Sequence, residues 1–132
     1  MNTKYILYIM FIHVCWTFLL YAILTILRAP QAWNLDTKSR KINSLKAYES
    51  KVSDNLSNQF EWPLLFYTSC ILIIVLNVFD YYQFLFAVVF LGGRILHSFV
   101  HIFTDNIRLR GAVFTINFIA VFLMWFRLIF TI

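Results

Sequence analysis

The sequence predicts an all-α integral membrane protein, a four-helix bundle whose helices cross the bilayer. Hydrophobic residues make up 61% of the chain and charged residues 13%, more apolar surface than a water-soluble domain of this length can bury. The polar residues gather into short stretches that divide the rest into four apolar blocks, each near the ~20 residues that span a hydrocarbon core. At 132 residues the chain is one domain, 1–132, with no room for a second.

The first span, about 5–27, carries no formal charge and is long enough to cross with some tilt. It exceeds a signal-peptide core, and no convincing small-residue cleavage site follows it. Arg28 and Pro30 end it. His13, near its middle, reads as a hydrogen-bonded structural histidine.

Residues 28–57 form a basic loop, with Arg28, Lys38, Arg40, Lys41, Lys46 and Lys51 against Asp36, Glu49 and Asp54. Ile42, Leu45, Val52 and Leu56 recur at rough helical spacing, so its second half suits an amphipathic extension leading into the next span. That second span, 58–79, opens with Asn58-Gln59-Phe60-Glu61-Trp62-Pro63. Pro63 falls in the first turns, where a missing N–H is best tolerated. Asp80 and the aromatic Tyr81-Tyr82 pair make an interfacial turn.

The third span, 82–103, places Arg94, His97 and His101 inside an apolar segment. Their spacing puts all three on one helix face. A tight polar loop from Thr104 to Arg110 leads to the fourth span, 111–131, with Trp125 and Arg127 suited to an interface near its end. The loops after the first and third spans together carry eight Lys/Arg, against Lys4 and Arg127 on the other side. The positive-inside rule then places both basic loops in the cytoplasm and both termini on the non-cytoplasmic side.

This topology brings polar residues of all four spans to one depth near the cytoplasmic face. Arg28 ends the first span, Asn58 and Glu61 begin the second, His97 and His101 lie in the inner half of the third, and Arg110 begins the fourth. Arg94 sits about 13 Å from the inner end of its helix at 1.5 Å per residue. Glu61 is its natural counter-ion, within one chain or between subunits, because an unpaired charge at that depth costs several kcal/mol. The residues suit a site for a polar or anionic group, and also a purely structural ion pair between helices.

Other chemistries fit less well. His97, His101 and Asp105 have a chelating spacing, but Arg94 shares their face and no further His or Cys is at hand, so no metal is expected. Ser98 beside His97 points in a different direction and cannot form a Ser–His pair. Cys15 and Cys70 form no C-x-x-C pair and read as buried small hydrophobes. The net charge of +5 lies largely in one loop, and no nucleic-acid module is present. A continuous fourth helix gives no sign of the broken helices of transporters.

Asn58-x-x-Glu61 with a proline soon after, then Arg94-x-x-His97-x-x-x-His101, then Arg110 opening the last span, resembles the MAPEG family, the membrane-associated proteins in eicosanoid and glutathione metabolism. The motif resemblance covers roughly residues 50–130, and the span pattern agrees over the whole chain. It implies a homotrimer in the lipid bilayer, with glutathione as co-substrate bound between subunits in the cytoplasmic half. The matching ligand-binding positions are Arg28, Asn58, Glu61, Arg94, His97, His101 and Arg110. Arg94 and Arg110 would hold charge, Glu61 and Asn58 would orient it, and His97 would donate a hydrogen bond. The implied chemistry is thiolate activation, with transferase or peroxidase activity toward a lipophilic small molecule.

The sequence also departs from the family pattern. Phe114 stands where the enzymes commonly carry a tyrosine near the glutathione sulfur, and Gly111 stands where some members have serine. Asp54 and Ser57 occupy places where some members supply arginines for the glutathione carboxylates, and His101 replaces a tyrosine found in some relatives. Loss of the tyrosine hydroxyl opens the alternative of a non-catalytic lipid-binding or scaffold protein of the same fold.

Overall fold

The computed structural model describes residues 3–33 and 40–131, with side chains for all of these except 31 and 40–44. Asp36 and Lys38 of the basic segment lie outside the described residues, as do the side chains of Arg40 and Lys41. The elements are α1 (Lys4–Ala32), α2 (Arg40–Glu61), α3 (Pro63–Val75), α4 (Tyr81–Phe103) and α5 (Ile107–Thr131).

Three of these helices, α1, α4 and α5, are long and apolar enough to cross a membrane. α1 runs past Arg28 and Pro30 to Ala32. Pro30 lies in its last turns, where the missing N–H removes a single ladder bond, and Trp33 N–H still donates to Ala29 O at 3.1 Å. The predicted loop 28–57 is helical over most of its described length, because the periodic apolar positions find a partner: Val52 and Leu56 pack against Leu20 and Leu24 of α1 and Ile102 of α4.

The second predicted span is built in two pieces. Pro63 has no N–H and interrupts the ladder, but Trp62 stays helical at φ −69°, ψ −35°, so α2 runs on into α3 across a joint. At 13 residues α3 is about 20 Å long and needs the end of α2 to complete a crossing. It stops at Val75 rather than Phe79 because Asn77 turns left-handed at φ 55°. Val78 N–H then reaches Ile73 O and Asn77 N–H reaches Ile74 O, each at 3.2 Å, the pairing of a Schellman cap.

Asp80 caps α4 by accepting Gln83 N–H at 2.8 Å, and Arg127 closes the same end, its Nη2 lying 2.7 Å from Asp80 Oδ2. Arg127 also lies over the Tyr82 ring at 5.4 Å. At the other end Asn106 Oδ1 accepts Leu109 N–H at 3.1 Å, which starts α5 at Ile107, before the predicted Gly111.

Two apolar clusters hold the bundle. One joins α1, α3, α4 and α5 and centres on Phe66 stacked on Phe90, with centroids 4.1 Å apart. The other is the α1–α2–α4 cluster around Val52 and Leu56. Polar side chains, among them His13, Gln59, Arg94 and Ser98, are buried in the bundle as well. Outward, α1 and α5 expose Phe11, Phe18, Phe122, Phe126 and Phe130, a surface suited to acyl chains rather than water.

Candidate functional site

Arg94 is fully buried, and its partners come from the turn just before the Pro63 joint. Its Nη2 donates to Asn58 O at 2.6 Å and to Gln59 Oε1 at 3.0 Å, and its Nε donates to Gln59 Oε1 at 3.2 Å. Glu61 is exposed, and the ion pairs among the described residues do not include it. The expected Glu61–Arg94 pair is therefore not formed within the chain. A neutral amide and a backbone carbonyl take the guanidinium's hydrogen bonds, the Glu61 carboxylate acts on it only as a nearby charge, and Nη1 remains without a partner.

Beside this buried arginine a cleft of about 490 Å³ opens between α2, α4 and α5. Asn58, His97, His101 and Arg110 line it, joined by Asp54, Gly111, Ile107 and Phe114. The His97 and His101 rings meet edge to face at 5.7 Å, and the His97 ring lies 6.0 Å from that of Phe114. Both histidines are buried, and the Nδ1 atom of each lacks a hydrogen-bond partner. Unpaired buried nitrogens are expensive, and these two have almost no accessible surface of their own.

A neighbouring hollow shares Asp54, His101, Ile107 and Arg110 with the cleft and extends it past Lys51, Thr104 and Asp105. At this rim Lys51 Nζ pairs with Asp105 Oδ1 at 2.7 Å. The hydrogen bond from Lys51, and then its charge, hold the exposed Asp105 carboxyl below the ordinary carboxylate range. Asp105 thus points to a lysine at the mouth rather than joining the two histidines.

Of the seven predicted ligand positions, the structure brings Asn58, His97, His101 and Arg110 to one surface. Arg94 bonds to Asn58, which lines that surface. Arg28 lies apart: its Nε donates to Glu49 Oε1 at 2.9 Å and its Nη2 to Ser53 Oγ at 3.4 Å. Glu61 also lies outside the cleft of its own chain.

The sequence reading passed over Gln59, the residue that ties the buried polar groups together. Its Oε1 faces Arg94 and also lies 3.2 Å from His13 Nε2, while its Nε2 donates to Ser98 Oγ at 3.1 Å. A guanidinium has no acceptor, so the atom it meets must be the amide oxygen, and His13 must carry its proton on Nε2. His13 Nδ1 then accepts the Tyr67 hydroxyl proton at 2.8 Å. Trp16 Nε1 donates to Ser98 Oγ at 3.1 Å. His13 is the hydrogen-bonded structural histidine that the sequence suggested. The overlooked signal was a glutamine sitting between two residues already singled out, one helical turn after another buried amide, Asn55.

A sequence model of the MAPEG family matches residues 6–130, nearly the whole chain. No curated protein and no solved structure matches it.

Proposed function

The chain belongs to the MAPEG family, and from that premise we propose that its polar cleft binds glutathione or a similar anionic small molecule beside the cytoplasmic face. The observation that carries this reading is the gathering of Asn58, His97, His101 and Arg110, from three helices, with Asp54 around one cleft. Glutathione carries two carboxylates, an ammonium and amide groups. Arg110 suits a carboxylate, Asp54 suits the ammonium, and Asn58 offers amide hydrogen bonds. The imidazoles present a donor or an acceptor according to tautomer. Arg94 acts through Asn58, whose carbonyl it holds at 2.6 Å, so it is a positioning residue.

With glutathione in place the chemistry is conjugation. The thiol gives its proton to water or to an imidazole nitrogen, and the thiolate forms a C–S bond to a lipophilic electrophile from the bilayer. The leaving group departs with the bonding electrons. Assembly as a homotrimer belongs to the same proposal. Exposed Glu61, at the end of α2 and outside its own cleft, is available to a neighbouring chain. The basic loops are assigned to the cytoplasm.

The second reading is a binding protein without turnover, and Phe114 on the cleft wall favours it, since it offers no hydroxyl to stabilise a thiolate. Calorimetric titration of the purified protein with glutathione, paired with conjugation of chlorodinitrobenzene, tests both. Binding that weakens about tenfold or more in Arg110→Ala, with measurable conjugation, supports the enzyme. Binding without conjugation supports the second reading, and no binding refutes the glutathione site.

A further inference from the structure

The ionisable side chains lining the cleft and the hollow that continues it are Lys51, Asp54, His97, His101, Asp105 and Arg110. Lys51 and Asp105 are matched to each other at 2.7 Å. Asp54 and Arg110 are not: each lines both spaces, yet the ion pairs among the described residues include neither. They come from different helices, α2 and α5. Both act as charges on His101, which stands in the same two walls. Asp54 is exposed and Arg110 half-buried, so the pair sits where the cleft opens. A carboxylate and a guanidinium held near one imidazole without meeting are complementary to a group that carries both opposite charges. A ligand end bearing only carboxylates meets Asp54 there as a like charge.

Resting on the glutathione reading above, we infer that the mouth of the cleft takes the α-amino-acid end of the ligand, its ammonium on Asp54 and its α-carboxylate on Arg110. Of the two ends of glutathione, only the γ-glutamyl end has both groups. The glycine end has a carboxylate alone, which Asp54 repels. The ligand is thereby oriented, with the cysteine following the γ-glutamyl group inward, toward His97 and Phe114, which line the cleft but not the outer hollow. Lys51 is held by Asp105 and does not compete for the carboxylate. Recognition then requires a free ammonium, and a thiol peptide with that nitrogen blocked is rejected.

The test is calorimetric titration of the full-length protein in lipid nanodiscs with glutathione, with N-acetylglutathione and with glutathione esterified at its glycine carboxylate. The expected result is that N-acetylation weakens binding roughly tenfold or more, while the ester changes it by no more than about threefold. Asp54→Asn weakens glutathione and leaves N-acetylglutathione unchanged, so the two ligands converge. Equal binding of glutathione and its N-acetyl form by the wild-type protein overturns the inference and leaves the glutathione site standing. So does a larger loss from the ester than from N-acetylation, which would put the glycine end at the mouth. Persistent discrimination in Asp54→Asn overturns it too, because another carboxylate, Asp105 or one on a neighbouring chain, would then read the ammonium. Absence of any glutathione binding removes the underlying reading and this inference with it.

Discussion

Arg94 and Gln59 form the central polar contact of the bundle, with two guanidinium N–H groups converging on one amide oxygen at 3.0 and 3.2 Å. A charge inside a membrane protein is expected to find a counter-charge. Here a neutral acceptor and a backbone carbonyl take its hydrogen bonds, while the Glu61 carboxylate stands near without pairing. Removing the amide in Gln59→Ala leaves the guanidinium with Asn58 O alone and is expected to destabilise the bundle by about 3–5 kcal/mol. Gln59→Glu keeps an acceptor for Arg94. Glu61→Gln, at an exposed position, is expected to shift stability by no more than about 0.5 kcal/mol. Thermal unfolding in detergent ranks the three, and a large loss in Glu61→Gln would show that Glu61 serves Arg94 in the assembled protein.

The close approach of α4 and α5 gives a second test. A Cβ added at Gly93 would fall on the Asn117 side-chain amide, whereas one at Gly92 would meet open space. Asn117 is buried and cannot swing into solvent. Gly93→Ala is expected to cost about 1–3 kcal/mol by overpacking, while Gly92→Ala is neutral or gains up to about 1 kcal/mol in helix propensity. Shortening the obstructing side chain in the double variant Gly93→Ala/Asn117→Ala should recover part of the loss. Additive losses in the double-mutant cycle would place the strain elsewhere.

The α4 N-terminus supplies a pH test. Burial alone would raise the Asp80 carboxyl, but the Gln83 N–H and the Arg127 guanidinium outweigh it and hold the group below the ordinary carboxylate range. Its stabilisation is complete above the unfolded value, about 3.9, and is lost as pH falls through the lower folded value. The pair is substantially exposed, so its share is about 0.5 kcal/mol, with about 1 kcal/mol more from the cap. Asp80→Asn should retain the cap and flatten the acid limb of a melting-temperature profile. Asp80→Ala should lose the cap at every pH. An unchanged acid limb in Asp80→Asn would assign the pH dependence to other carboxylates.

Composition and block length were enough to read the helical membrane architecture, because lipid permits few alternatives. The helix ends were less legible. α1 outlasts Pro30, and α5 begins at Ile107 because Asn106 caps it, a local signal outweighed by the charge of the predicted loop. The cleft could be read as far as helical periodicity carries. His97, His101, Arg110 and Asn58 meet there, but periodicity fixes a face and not a partner. Gln59 escaped notice because a neutral amide carries no electrostatic signature, although its donor and acceptor atoms satisfy groups on α1 and α4 at once. Arg28 depends on where Glu49 falls across an interhelical contact, which one helix's spacing cannot show.

Phe114 offers the most direct probe of whether the cleft catalyses. It shares the wall with His97, their rings 6.0 Å apart, and Trp62 packs edge-on against it at 5.5 Å, so the ring is held from two sides. Phe114→Tyr adds one hydroxyl to a ring already in place and restores the donor that the family resemblance leads one to expect. A single well-placed donor to a developing anion is worth several kcal/mol, and an added one less ideally supported should raise kcat/KM for glutathione conjugation on the order of tenfold. Glutathione affinity should change little, since the new hydroxyl acts on the thiolate rather than on the carboxylates. Adding His97→Phe in the tyrosine background should remove part of the gain if the imidazole takes the thiol proton. Unchanged conjugation in a Phe114→Tyr protein that still binds glutathione would mean that the thiol does not lie against this wall, and the non-catalytic reading would then be preferred.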